Sequence, residues 1–533
     1  MMTTNRLTET TMATGTDRER HQHQEMSDQN VKCGVSRLIA PPRACGTNVE
    51  GTALPRDRTI PFSALSRYAV VILLLVAFTG CATSLETAAD LERASSLIAE
   101  RSGESPQWDL PWDEPHPIWD GVSPLAEDDA LRIALVNNRA IRAALEEIAI
   151  ARADLVQSGL LPNPVLSVAL GFPIDGSGGA TSVGVGLTQQ LVALWRRGDR
   201  MAVAEHDLDR VILSMSDQAL ELAKDVRQQH AEIAFAARDR ALLAEQHALL
   251  EDLASLMQRR LEAGEASRLD VSRLSVQKQM MRAARIEQDQ QITQHKLELL
   301  ALMGRSEAST EWEIVQTPIV PAITPPSDRE IPSPGMPPAL PDERDLIERI
   351  DTQRLDLLAV RATADLHAAS LRLEDRQRLF RSVEAGAGFE RDDDRRRELG
   401  PTVAMEIPIF DTNDAKVARA AAMYRQSIIE ADRIRQRAIT EVRSLYAECL
   451  RLADLIALHG SEILPAVEEN LRLVQQSLDA GVIDASILIE AQRERIDTHL
   501  RLNDLHRRLT LRQIALDRAV GGAVGEAVGG RIE

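Results

Sequence analysis

Aromatic residues are scarce. The 533 residues include seven Phe, five Trp and three Tyr, 3% in all, too few for compact cores built around large rings. Cysteine is nearly absent, and Cys33, Cys45, Cys81 and Cys449 show neither metal-ligand spacing nor a disulfide framework. An excess of positive charge is missing too. The net charge is −19 and no Lys/Arg-rich run offers phosphate contacts, which argues against a nucleic-acid surface. No GxSxG, HExxH, Walker or dinucleotide-binding motif occurs, so no enzyme and no cofactor is expected. The eleven histidines form no i,i+4 pair; His230 and His247 read as surface or seam residues, and no metal site is expected. Alanine, leucine, arginine and glutamate prevail instead, the composition of long helices packed through small side chains.

Long apolar runs are also lacking, with one informative exception. Arg67 precedes an apolar run from Ala69 to Phe78, followed by Thr79-Gly80-Cys81-Ala82. A basic flank, a short apolar segment and a small-residue cleavage site make a secretory signal. The run is too short to span a bilayer as a helix. Small residues before Cys81 resemble a bacterial lipobox, which makes Cys81 the expected lipidation site. The 60 or so residues at the start are polar and aperiodic. Because a signal belongs at the beginning, translation is expected to start later than Met1, and residues 1–80 are assigned to an extension and signal that are removed.

What is present is a duplication. Leu261-Glu262-Ala263-Gly264 recurs as Leu478-Asp479-Ala480-Gly481, at an offset of about 217 residues. Met303-Gly304 recurs as Val520-Gly521 at the same offset. Gln189 to Val192 lines up with Ile407 to Phe410, and Asn138 to Ile141 with Arg354 to Leu357, each within one residue of that register. A period this long means a large supersecondary unit repeated twice.

Each copy has the same plan. After a polar leader (81–122), expected to run extended, Ser123-Pro124 opens a helix expected to reach Ser158. Leu166, Val168, Leu170 and Phe172 then alternate with Ser167, Ala169 and Gly171. Val183, Val185 and Leu187 alternate with Gly184, Gly186 and Thr188. Period two with apolar against small or polar residues predicts a half-buried antiparallel pair. From Leu208 and from Ile212, steps of seven give sixteen positions to Met257 and Leu261, thirteen of them apolar, a sustained coiled-coil seam. Gly264 breaks this rod and a helix returns from Ser267 to Met303. The first repeat thus covers 123–304. Residues 305–341 form a linker, since nine of the 24 prolines lie between Pro318 and Pro341. The second repeat (342–521) replays the plan: a helix to 378, strands around Val383 to Phe389 and Val403 to Ile407, a long helix over 413–478, a break at Gly481 and a return to Arg518. Residues 522–533 are expected to be a disordered tail.

Two strands per repeat cannot close a sheet, nor can four per chain, and open edges are not tolerated in lipid. Three copies supply twelve strands, enough for a closed barrel with an open lumen. The expected fold is therefore mainly α with a small β part: a long α-helical barrel plus a twelve-stranded β-barrel, both completed by a homotrimer. Glu384 and Glu406 alternate with apolar neighbours and are expected to face the barrel lumen.

At this point a resemblance becomes specific. Ala130 to Asn138, Leu161-Pro-Asn-Pro-Val-Leu-Ser167, Arg260 to Val271, Ile407-Pro408-Ile409-Phe410-Asp411 and Leu478 to Gly481 resemble, in this order, the TolC family of outer-membrane efflux proteins. The likeness covers about 123–521, and Pro162-Asn-Pro164 with Pro408-Ile-Phe-Asp411 is most similar to the heavy-metal, CzcC- and CusC-like branch. The resemblance implies a passive, lipid-anchored outer-membrane duct reaching into the periplasm. It implies docking on a periplasmic adaptor (a membrane fusion protein) linked to an inner-membrane pump, here of the RND type. It places Ala263, Gly264, Ala480 and Gly481 at the adaptor-contacting tips. The family often has gate carboxylates six and nine residues after the second tip glycine, positions held here by Ile487 and Glu490, so Glu490 is the candidate gate residue. Asp270 is the first-repeat counterpart of Ile487 and a second candidate. Two other readings stay open: a duct for type I protein secretion, and a non-conducting periplasmic scaffold of coiled coils.

Overall fold

The computed structural model describes residues 85–108, 119–172, 181–264, 266–315, 341–378, 381–391, 396–480, 482–483 and 485–524. Cys81, Gly481, the signal segment and the prolines from Pro318 to Pro338 lie outside the described residues.

Helices carry the structure. Where an extended leader is expected, Ala88–Ser102 forms helix α1, closed by Gly103 in the left-handed conformation. Its apolar side, Ala94 and Ile98, is fully buried in the first core. Asp90 pairs with Arg152 (2.7 Å), fixing α1 to the helix that leads into the sheet. The leader is polar because its outer face is solvated, and its apolar stripe is too short to stand out in the sequence.

The opening helix of each repeat is broken in two. In the first, α2 (Glu127–Asn137) and α3 (Arg139–Gly159) meet at Asn138, whose side chain caps α3 by accepting from the Ala140 and Ile141 amides. In the second, α6 (Glu343–Gln353) and α7 (Leu355–Arg376) meet at Arg354. The helix starts at Glu127 rather than at Ser123, because Leu125 is held in a parallel bridge to Ile314. Residues 305–315 accordingly are packed structure, with Trp312 buried and set edge-on to Trp119.

The two breaks are matched by the ends of the return helices. Gly304 (φ +67°) lies so close that a Cβ would sit 2.7 Å from the Asn137 carbonyl oxygen. Gly521 (φ +99°) would place one 2.8 Å from the Arg354 nitrogen. Asn138 Nδ2 donates to the Leu302 carbonyl (2.9 Å), and Arg354 Nη1 donates to the Ala519 carbonyl (3.0 Å). Different side chains thus make the same closure in both repeats. The tail is not free at its start: Val524 is buried and Arg349 donates to the Ala523 carbonyl.

Strands β1 (Val165–Gly171), β2 (Ser182–Gln190), β3 (Val383–Arg391) and β4 (Arg397–Met405) form one antiparallel sheet in chain order. The rods follow it. Helix α4 (Val192–Glu262) has 71 residues, about 105 Å at 1.5 Å per residue. Helix α5 (Arg268–Leu302) returns beside it, its first turn capped by Ser267. In the second repeat, α8 (Asp414–Leu458) passes through a π turn (His459–Ile463) into α9 (Leu464–Asp479), and α10 (Ala485–Val520) returns. The π turn has a local cause. Pro465 has no N–H for the carbonyl of Ser461 and its ring would crowd that group. The backbone widens there, and the Leu464 N–H reaches the His459 carbonyl instead.

Candidate functional site

The sheet register sorts the strands into two faces. Leu166↔Leu187, Val168↔Val185, Val185↔Phe389, Ala385↔Val403 and Phe389↔Leu399 are directly opposed, so their side chains share one face. The other face carries Ser167↔Gly186, Gly186↔Gly388, Gly386↔Thr402 and Glu384↔Ala404. The apolar face is bare: Leu166, Val168, Leu170, Leu399 and Val403 are 57–79% exposed. Gly386 must be glycine, since a Cβ there would run into the Leu187 carbonyl. Its absence of side chain helps keep the second face smooth.

Glu384 lies on that second face opposite Gln190 and Ala404. Glu406 follows β4, its amide bonded to the Ser382 carbonyl, and accepts a long hydrogen bond from Arg381 (3.4 Å). Arg381 binds Asp411 more closely (2.6 Å) and holds that carboxyl below its ordinary range. No helix among the described residues is long and apolar enough to cross a membrane.

At the far end of the rods, Ala263 and Gly264 are exposed, and Gly264 takes the left-handed turn (φ +78°) with nothing near its Cβ position. Ala480 is exposed at the second turn. The two hairpins meet in one apolar cluster. Leu250, Leu253 and Met257 of α4 and Leu274 of α5 pack with Leu488 of α10, backed by Leu471, Val474 and Leu478.

Glu490 faces a groove of about 660 Å³ between α9 and α10, with Ile487, His459, Asn470, Asp497 and Arg501 on its walls. Asp270 is half-exposed in the first turn of α5 and is not among the residues of that groove. The groove adjoins the π turn, which sequence reasoning missed although Pro465 marks it.

Above the groove, polar links tie α10 to α4. Arg495 pairs with Glu245 (2.8 Å), Arg507 with Glu232 (3.0 Å) and Arg518 with Asp217 (2.7 Å). Asn503 Nδ2 donates to Asp239 (2.7 Å), whose carboxyl is raised by burial. His230, expected at the surface or seam, is buried with its ring nitrogen 3.3 Å from the Leu125 carbonyl. Cys449 is fully buried in the second core, and burial pushes its thiol up to about 11. Among the described residues no group of three metal-ligating side chains occurs.

Comparison with known proteins agrees with this layout. The family model for outer membrane efflux proteins matches residues 130–305 and again 346–522. The chain belongs to the outer membrane efflux protein family, the TolC family. No curated protein matches the chain. Among solved structures, CusC, described for its folding and transmembrane channel formation, has a TM-score of 0.60 at 18% identity, covering 74% of this chain and 92% of its own. A membrane protein from Pseudomonas aeruginosa has 0.59 at 21% identity, covering 79% and 97%. The open state of the Neisseria gonorrhoeae MtrE outer membrane channel has 0.57 at 17%, covering 79% and 97%. At these identities the likeness establishes the fold alone: a mainly helical chain with a small sheet.

Proposed function

We propose that three copies of this chain form a passive outer-membrane duct, lipid-anchored at Cys81, that receives small solutes from a periplasmic adaptor and an inner-membrane pump. One observation carries the reading: a four-stranded sheet with both edges open and an apolar face bare to its surroundings, set on rods about 100 Å long. Such a sheet is stable only where the edges pair with another copy and the apolar face meets lipid. The small and polar face then lines water, with Glu384 and Glu406 in the wall. The adaptor meets the hairpin tips at Ala263, Gly264, Ala480 and Gly481. Glu490 contributes one carboxylate per copy to a ring that favours cations, with Asp270 in a lesser role. The acidic wall and the Pro162-Asn-Pro164 motif favour metal cations as cargo, driven by an RND-type pump.

The test is direct. Protein extracted from outer membranes should migrate as a trimer and conduct ions in a planar bilayer. Glu490→Ala should lower its preference for cations, whereas Cys81→Ser should remove the acyl chain and leave conduction intact. A soluble monomer without conductance refutes the duct, and an unchanged ion preference removes Glu490 from the gate.

A further inference from the structure

The core of the second repeat and the cluster at the tips are separated by open space. The buried residues of that core end at Ile456 on α8 and Leu505 on α10, whereas the tip cluster draws on Leu471 and Val474 of α9 and Leu488 of α10. Between these levels lie the π turn and the groove of about 660 Å³ that Glu490 faces. A cavity of about 330 Å³ adjoins it, sharing Asn470 and Glu494. The floor is apolar: Val474, Ile487 and the buried Ala491 line the groove, and Ile463 and Val467 line the cavity beside it. The rim is acidic. Glu490 and Glu494 make no ion pair among the described residues, nor does Glu462 of the adjoining cavity. The arginines nearest to them along α9 and α10 are committed. Arg493 pairs with Asp497 (3.6 Å), Arg501 with Asp504 (3.4 Å), Arg472 with Glu469 (2.6 Å) and Arg495 with Glu245 (2.8 Å). The turn from 479 to 485 contains no Lys, Arg or His. His459 Nδ1, in the same wall, is buried and finds no hydrogen-bond partner, which leaves a polar group for a bound molecule to satisfy.

We propose that this groove binds an organic cation with an apolar body, of the planar aromatic ammonium type. Size is the first reason. Sites for drug-sized molecules measure about 300–1,000 Å³, whereas six waters around a metal ion fill only about 180 Å³ at 30 Å³ each. Ligand chemistry is the second. No three metal-ligating side chains converge among the described residues, so a bare metal ion is not held here. The third is the pairing of floor and rim. Val474 and Ile487 offer apolar surface to a ring system. Glu490 and Glu494 attract its charge and stay solvated when the groove is empty. A compact cation uses the rim alone, and a neutral ring uses the floor alone; the amphiphilic cation uses both. The site goes beyond the duct reading and does not depend on which ion the lumen passes.

The experiment uses the full-length protein extracted in detergent and dialysed to equilibrium against ethidium, with empty micelles as the blank. Ethidium should bind saturably, one per chain. Glu494→Gln keeps the shape of the rim and should weaken binding about two- to fivefold, the worth of one exposed ion pair. Ile487→Ala trims the apolar wall and should weaken it about fivefold or more. Both side chains are exposed, so neither change disturbs the packing of the helices. Glu468→Gln should leave the affinity unchanged, because Glu468 lies on α9 but lines neither the groove nor the adjoining cavity. Zn²⁺ and tetramethylammonium, in molar excess at constant ionic strength, should fail to displace the dye. No saturable binding beyond the micelle blank overturns the proposal, as does a native affinity in both Glu494→Gln and Ile487→Ala. Displacement by Zn²⁺ overturns it too, since the site would then read charge alone. Binding that appears only after the oligomer is dissociated assigns the groove to a neighbouring copy and likewise ends the proposal. None of these readings requires the protein to conduct, so the site and the duct stand or fall separately.

Discussion

Replacing Gly521 by alanine separates two costs that a helix-ending glycine usually combines. Gly264, Gly304 and Gly521 all have positive φ, at +78°, +67° and +99°. A residue with a Cβ in this region is strained by about 1–2 kcal/mol. Gly264 is open, so Gly264→Ala should cost that strain alone. Gly521 is closed: its Cβ would meet the Gln353 carbonyl carbon at 2.7 Å and the Arg354 nitrogen at 2.8 Å. Both contacts are backbone, so no side chain can swing aside. Overpacking of this kind adds about 1–3 kcal/mol, and the total for Gly521→Ala should be about 2–5 kcal/mol. Moving the helix end also threatens the bond from Arg354 to the Ala519 carbonyl. With an unfolding entropy of about 2.1 cal/mol/K per residue, a cooperative unit of about 400 residues shifts by roughly 1 °C per kcal/mol. Scanning fluorimetry at one scan rate should therefore place Gly521→Ala about 1–4 °C below Gly264→Ala, with Gly304→Ala near Gly521→Ala. Equal midpoints for Gly264→Ala and Gly521→Ala would show that the close approach carries no energy, and the reasoning fails.

Two further outcomes are expected. Val403 and Thr402 are chain neighbours on opposite faces of β4, so Val403→Arg should lose up to about 2–4 kcal/mol in lipid while Thr402→Arg is tolerated. Equal yields of assembled protein in the outer membrane would contradict the assignment of the faces. Asp120 is held at about 2, below its ordinary 3.8, first by the Ser123 hydroxyl and then by the Ser123 and Val122 amides. Because the folded value is the lower one, the turn keeps its full stability above pH 3.8 and loses it as the pH falls toward about 2. Trp119, whose indole donates to the Ser123 carbonyl (2.8 Å), reports the opening by fluorescence. Asp120→Asn should remove that acid step, and a step that persists in the variant excludes Asp120 as its cause.

Strands β1 to β3 were legible because their two faces differ at every residue, whereas β4 begins at Arg397, six residues before the expected Val403, and ends at Met405, short of Ile407. Val183, Val185 and Leu187 alternate with Gly184, Gly186 and Thr188 in the sequence, and the register keeps that partition across all four strands. The rods were legible from the seven-residue spacing, and the structure lengthens α4 only at its start, to Val192. The kinks were not. Asn138 and Arg354 interrupt helices through what they reach in space, the Leu302 and Ala519 carbonyls, and composition does not encode a partner so distant in sequence. Helix α1 escaped notice because only Ala94 and Ile98 of its apolar residues are buried. Of the candidate site, Gly264 stands at a turn with its positive φ. The groove beside Glu490 was missed, although Pro465 in the sequence marks the widened turn that it adjoins.

The π turn has a consequence for the symmetry of the molecule. One residue added to a helical turn swings everything beyond it by about 100°. Leu471, Val474 and Leu478 of α9 thereby come round to the cluster at the tips, whereas α4 reaches its own end as one α-helix without a π turn. Two halves of common ancestry thus point their last turns along different bearings. A partner approaching from below would meet two unlike landing places in each subunit, alternating around the rim.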